Sequence, residues 1–174
     1  MRIPAALPLI ALLFAAGCAT PRAPATLEMP GNDEAQSAHL LAGYLLARGW
    51  TVQVSPESVV AAVRDGERLW LRPLLDARGM DRLVSWRQWP AAPEADEAAL
   101  AAFAEELNAA LNVGLFRAEQ EALVFQVSLH FIDTLDPALL GAFIEHTAEV
   151  RRAVLRVQDT RQLLRPVEDV QASR

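Results

Sequence analysis

The sequence predicts a small α+β domain: an antiparallel sheet of about five strands with three helices, in the order α-β-β-β-α-β-β-α. Three observations carry that prediction. Between residues 98 and 111 the apolar residues Leu100, Phe103, Leu107 and Leu111 recur at spacings of three and four, which lines one face of a helix. Shortly after, Leu123, Phe125, Val127, Leu129 and Phe131 alternate with Gln126, Ser128 and His130, the two-residue period of a strand with one buried side. A chain of 174 residues, 52% of them apolar, can bury one real core and is short for two ordinary domains.

In chain order, Met1 and Arg2 precede an apolar run to Phe14 that is too short to cross a bilayer as a helix and is interrupted by Pro4 and Pro8, the pattern of an export signal. Ala15-Ala16-Gly17-Cys18 resembles a bacterial lipobox, and the resemblance implies cleavage before Cys18 and acylation of that residue, with residues 1–17 as the signal peptide. The alternative is an ordinary secretory signal that leaves Cys18 as a free thiol. Several acyl chains, at about 0.8 kcal/mol per buried methylene, would hold such a protein on a membrane, where one chain would not. Residues 18–31, rich in proline and small residues and without periodicity, read as a flexible tether. Ala19 is not the Asp that tends to retain lipoproteins in the inner membrane, so the lipobox resemblance implies the outer membrane, facing the periplasm.

The folded part is expected over residues 32–165. Asn32 or Asp33 caps a helix to about Arg48, with Ala38, Leu41 and Leu45 on one stripe, Leu40 and Tyr44 widening it, and Gly49 ending it. Trp50, Val52 and Val54 alternate as a first strand. Ser55-Pro56 could start a short helix, but Val59, Val60 and Val63 read better as one arm of a hairpin that turns at Asp65-Gly66, with residues 67–72 as the other arm. After the turn at Ala77-Arg78-Gly79, residues 82–89 form the next strand. Glu94, Asp96 and Glu97 gather where a helix N-terminus favours negative charge, and Asn108 and Asn112 come where that helix ends. Leu115 sits on the shorter arm of a second hairpin. Asp136-Pro137 starts the last helix, striped by Leu140, Phe143, Ile144, Thr147, Val150 and Val154 and fading beyond about Gln158; residues 166–174 are a polar tail.

On the strand after Asp65-Gly66, Leu69 and Leu71 share a face and leave Arg68, Trp70 and Arg72 on the other. On the next strand Val84 and Trp86 oppose Ser85, Arg87 and Trp89. One sheet face can therefore present Arg68, Trp70, Arg72, Arg87 and Trp89 together, residue types enriched where proteins bind partners. The plainer reading is that arginine stems and tryptophans pack under a helix.

Catalytic signals are weak. His39, His130 and His146 stand on different elements without metal-ligand spacing; the glycines are scattered; no nucleophile elbow occurs; and Cys18 is the only cysteine. Glu105-Glu106 and the Asp133/Asp136 pair read as solvated carboxylates, since adjacent helical residues diverge by about 100°. No cofactor, metal site or catalytic residue is expected, and His130, on a regular strand, is the one polar group to test. The net charge of −6 argues against nucleic acid as the main partner, and the basic residues, all arginine, read as a composition bias.

The order of elements, with Gly49-Trp50 after the first helix, Asp65-Gly66 in the first hairpin, Asn108 in the second helix and Asp136-Pro137 opening the last, resembles the YbjN-like family, which shares its fold with type III secretion chaperones. The match covers about residues 34–155. It implies a non-enzymatic binding or regulatory module, often dimeric. The expectation is a lipid-anchored envelope adaptor that holds a protein or peptide client, with a homodimer as a further partner. The rivals are a lipid-anchored hydrolase using His130 or a carboxylate and a structural envelope lipoprotein whose tryptophans form a dimer interface.

Overall fold

The computed structural model describes residues 26–31, 33–76, 80–119, 121–158 and 161–165. The signal peptide with Cys18, most of the tether, Asn32, the Ala77-Arg78-Gly79 turn and the polar tail lie outside these residues. Among the described residues the elements run β1 (Leu27–Glu28), α1 (Glu34–Leu46), β2 (Thr51–Val54), β3 (Val60–Arg64), β4 (Glu67–Leu74), β5 (Asp81–Pro90), α2 (Glu97–Ala110), β6 (Leu115–Glu119), β7 (Ala122–Phe131), β8 (Thr134–Leu135) and α3 (Pro137–Gln158).

The helix starts follow from their caps. The Asp33 carboxylate accepts the Gln36 N–H at 2.8 Å, and Asp96 accepts that of Ala99 at 2.6 Å, each satisfying an otherwise orphaned donor of a first turn. Asp136 does the same for α3 by accepting the Ala138 N–H at 2.7 Å. Asp65 and Gly66 both take positive φ, 51° and 77°, the geometry of a two-residue hairpin turn whose twist matches the strands it joins.

The main sheet has six antiparallel strands in the order β2-β3-β4-β5-β7-β6. The expected count of about five is one short, because four strands separate α1 from α2. The short run β2 pairs residue for residue with β3, from Thr51 opposite Val63 to Val54 opposite Val60. At the centre, β5 and β7 pair over ten positions, from Asp81 opposite Phe131 to Pro90 opposite Ala122.

Two apolar clusters lie between the helices and one sheet face. The first joins Ala38, Leu41 and Leu45 of α1 and Leu140, Phe143 and Ile144 of α3 to Val60, Leu69, Leu71 and Leu83. The second joins Leu100, Phe103 and Leu107 of α2 and Val150 and Val154 of α3 to Trp89, Phe116, Leu123 and Phe125. With 22 residues, α3 is long enough to bridge both. Leu40, expected to widen the α1 stripe, is 38% exposed.

The ordered chain is longer at both ends than the periodicity implies. Leu27 and Met29, expected in the tether, are buried, and β1 pairs with β8 as a separate two-stranded sheet. Beyond α3 the chain returns to β5: Leu164 is 3% exposed, the Ala92 N–H donates to Leu163 at 2.8 Å, and the Arg165 N–H donates to Pro90 at 2.9 Å.

Candidate functional site

The registers assign every strand residue to a face. Ala62 lies opposite Leu69, Leu71 opposite Ser85 and Arg87 opposite Phe125, so Leu69, Leu71, Leu83, Ser85, Arg87, Trp89, Phe125 and Phe131 share the face that the helices cover. The other face carries, among others, Gln53, Ala61, Val63, Arg68, Trp70, Arg72, Arg82, Val84, Trp86, Gln126, Ser128, His130, Leu115, Arg117 and Glu119.

The five residues expected on one binding face are therefore divided. Arg68, Trp70 and Arg72 lie on the open face and are partly exposed, whereas Arg87 and Trp89 are 7% and 5% exposed beneath the helices. The companion of Trp70 is instead Trp86, which the sequence reading set on the face opposite Arg87. The physical reason is the relative register of β4 and β5, since a slip by one residue reverses every side chain of a strand. One signal was available: Leu83 has the same parity as Ser85, Arg87 and Trp89, and a leucine on a central strand belongs with Leu69 and Leu71.

The open face is rich in arginine for a chain of net charge −6, with Glu119 as the acidic strand residue on it. Arg68, Arg72, Arg82 and Arg117 stand on it beside Trp70 and Trp86, and Val63 and Leu115 are 44% and 48% exposed. Arg117 pairs with Glu119 at 2.9 Å and donates to the Gln126 side chain at 3.3 Å, while Arg72 reaches Glu34 at 3.8 Å. These pairs are solvated and add little stability.

Arg87 has a different role. Its guanidinium donates to Glu67 at 3.4 Å, and the other Glu67 oxygen accepts from Arg151 on α3, so one carboxylate joins two arginines from two elements. Burial is the main influence on Arg87 and lowers its pKa, with Arg151 lowering it further, while Glu67 raises it. Beside this group lies a cavity of about 280 Å³ between the β3–β4 hairpin and α3, lined among others by Trp50, Arg64, Asp65, Glu67, Arg87 and Glu145. None of this was foreseen from the sequence, because the partners are 20 and 84 residues apart.

The remaining candidates have structural surroundings. His39 and His130 are exposed, and the residue opposite His130 in the ladder is Arg82, not a carboxylate. Glu105 and Glu106 are both exposed, and Glu106 pairs with Arg161. Asn108 does more than end α2: its amide donates to Phe116 O at 2.9 Å and accepts the Phe116 N–H at 2.7 Å, clamping the helix to β6. Asp81, 3% exposed, accepts N–H groups from Asp76 at 3.0 Å and Asp133 at 3.3 Å. Among the described residues no group of three or more His, Cys, Asp or Glu side chains is placed to hold a metal, and no helix is long and apolar enough to cross a membrane.

Three helices on one side of a six-stranded antiparallel sheet, with the other side uncovered among the described residues, define an α+β domain. The chain is similar to the crystal structure of YbjN from E. coli, described as a candidate transcription regulator, with a TM-score of 0.53 at 18% identity over 74% of this chain and 95% of that one. At that identity the likeness shows the fold, and the expected YbjN-like fold is borne out. No family model and no curated protein matches the sequence.

Proposed function

We propose that the protein is a non-enzymatic adaptor, lipid-anchored in the cell envelope through Cys18, that binds an acidic protein or peptide segment on the open face of its sheet. The observation that carries this reading is the sign of that face. Four arginines, against one glutamate (Glu119), and two tryptophans stand on the side that the described residues leave uncovered, in a chain that is acidic as a whole. Such a surface attracts negative charge from a distance and offers flat aromatic area at contact. The lipobox resemblance supports the anchor, and the tether gives the domain reach from a membrane surface. The description of YbjN as a candidate transcription regulator is a reading for that protein; the net charge of −6 here favours a protein client over nucleic acid. His130, facing Arg82 without a carboxylate partner in the ladder, gives hydrolysis no comparable support.

Two measurements test the proposal. A labelled fatty acid fed to cells should enter the wild type and not the Cys18→Ser variant. A photo-crosslinking residue placed at position 86 should capture a defined client in the intact envelope, and the charge reversals Arg68→Glu and Arg82→Glu should remove that product. Equal capture from position 105, on the solvent side of α2, would overturn the assignment of the open face.

A further inference from the structure

On the covered side of the sheet, the cavity between the β3–β4 hairpin and α3 has charges that do not close. Glu67 supplies one carboxylate to two guanidinium groups, those of Arg87 and Arg151, which leaves one positive charge in excess. The excess sits where water is scarce: the Arg87 side chain is 8% exposed, and its Nε has no hydrogen-bond partner. A buried cation with an unused donor is costly unless an anionic group completes it. Arg87 lines the cavity, so an occupant lies beside its charge, although the shielded Nε is not itself the point of contact.

The mouth of the same cavity has the opposite sign. Asp65 and Glu145 line it and carry no ion pair among the described residues. Arg64, Arg152 and Glu149 line the same exposed rim, which therefore holds three carboxylates and two guanidinium groups and keeps one negative charge in excess. Arg64 lies over the Trp50 ring at 4.4 Å and donates to Arg48 O at 3.3 Å, and Arg152 stands 4.0 Å from Glu149. The lining also includes Leu69, Ile144, Ala148 and the buried Thr147. A volume of about 280 Å³ is at the small end for ligand sites.

We propose that this cavity binds a small aminocarboxylate, with its carboxylate held at Arg87 beside Arg151 and its ammonium group at Asp65 and Glu145. A plain anion would meet the acidic mouth unfavourably and a plain amine would meet the cationic floor, so the pattern selects a zwitterion. The site lies on the side of the sheet opposite Trp70 and Trp86, so its failure would leave the open-face reading intact.

The test is calorimetric titration of the full chain with glycine, L-alanine, β-alanine, γ-aminobutyrate and 6-aminohexanoate, with acetate and propylammonium as single-charge controls. At least one aminocarboxylate should bind about tenfold or more tighter than either control. Glu145→Gln, a change at an exposed position, should reduce that affinity to the level of acetate. Arg87→Gln, with folding checked by circular dichroism, should remove the binding. The proposal is overturned if no aminocarboxylate binds at about 10 mM, if acetate binds as tightly as the best of them, or if Glu145→Gln changes nothing.

Discussion

Tyr44 illustrates how one side chain can report on the whole fold. Its hydroxyl donates to the carbonyl of Pro137 at 2.8 Å and so ties α1 to the first residue of α3, 93 positions away. Burial pushes its pKa above the ordinary 10.0, with the Arg48 guanidinium acting against the shift and Asp136 adding to it. The folded chain therefore keeps this proton more tightly than the unfolded chain does. The stability from Tyr44 is complete below pH 10 or so and is lost as pH rises through the higher folded-state value. Because the chain has one tyrosine, tyrosinate absorbance follows this group alone. It should titrate above its ordinary value in the native protein and at that value in urea. Tyr44→Phe should cost about 1 kcal/mol at neutral pH and flatten the alkaline decline in stability. Glu67 makes a larger prediction: Glu67→Ala strands Arg87 without its carboxylate and should cost about 3–5 kcal/mol, seen as a fall in Tm of roughly 10 °C. An unchanged Tm would mean that the pair is held open to water.

At the scale of elements, the turn into β6 is the least forgiving part of the sheet. Gly114 has φ +74°, and a Cβ there would lie 2.5 Å from a ring carbon of Phe125 and 2.6 Å from the backbone oxygen of Gln126. Phe125 is also in ring contact with Phe116 at 4.7 Å between centroids, so it has little room to retreat. Gly114→Ala should therefore cost about 2–3 kcal/mol, and hydrogen exchange at the Phe116 amide should quicken as the Asn108 clamp loosens; native-like protection would contradict this account. The three helices and the strands of the main sheet were legible because their signals are local, as in the alternation of β7, the stripe of α3 and the Asp-Gly turn, whereas the two-residue strands β1 and β8 carry no such signal. What alternation does not specify is the phase of one strand against its neighbour. Trp70 and Trp89 each lie on a strand as expected, yet the β4–β5 register sends them to opposite faces. The Glu67–Arg87–Arg151 group was hidden for the same reason, since its members meet only after three elements have docked.

For the molecule as a whole, the boundaries carry the lesson. Residues 27–29 look like linker in the sequence, with a proline and a glycine just after them, but Leu27 and Met29 bury their side chains against α1 and α3. A chain starting at residue 33 should lose about 3 kcal/mol or more of stability, measured by urea unfolding with tryptophan fluorescence, because two apolar side chains leave the core. An equal midpoint would show that β1 is ornamental. The short β1–β8 ladder also has a mechanical meaning. Any pull delivered along the N-terminal segment loads two backbone pairs before it reaches the six-stranded sheet. Peeling those pairs should release roughly 20 Å of slack from residues 27–33 and withdraw Leu27 and Met29 from the core. Under tension β1 should therefore yield before the main sheet, at the cost of that packing.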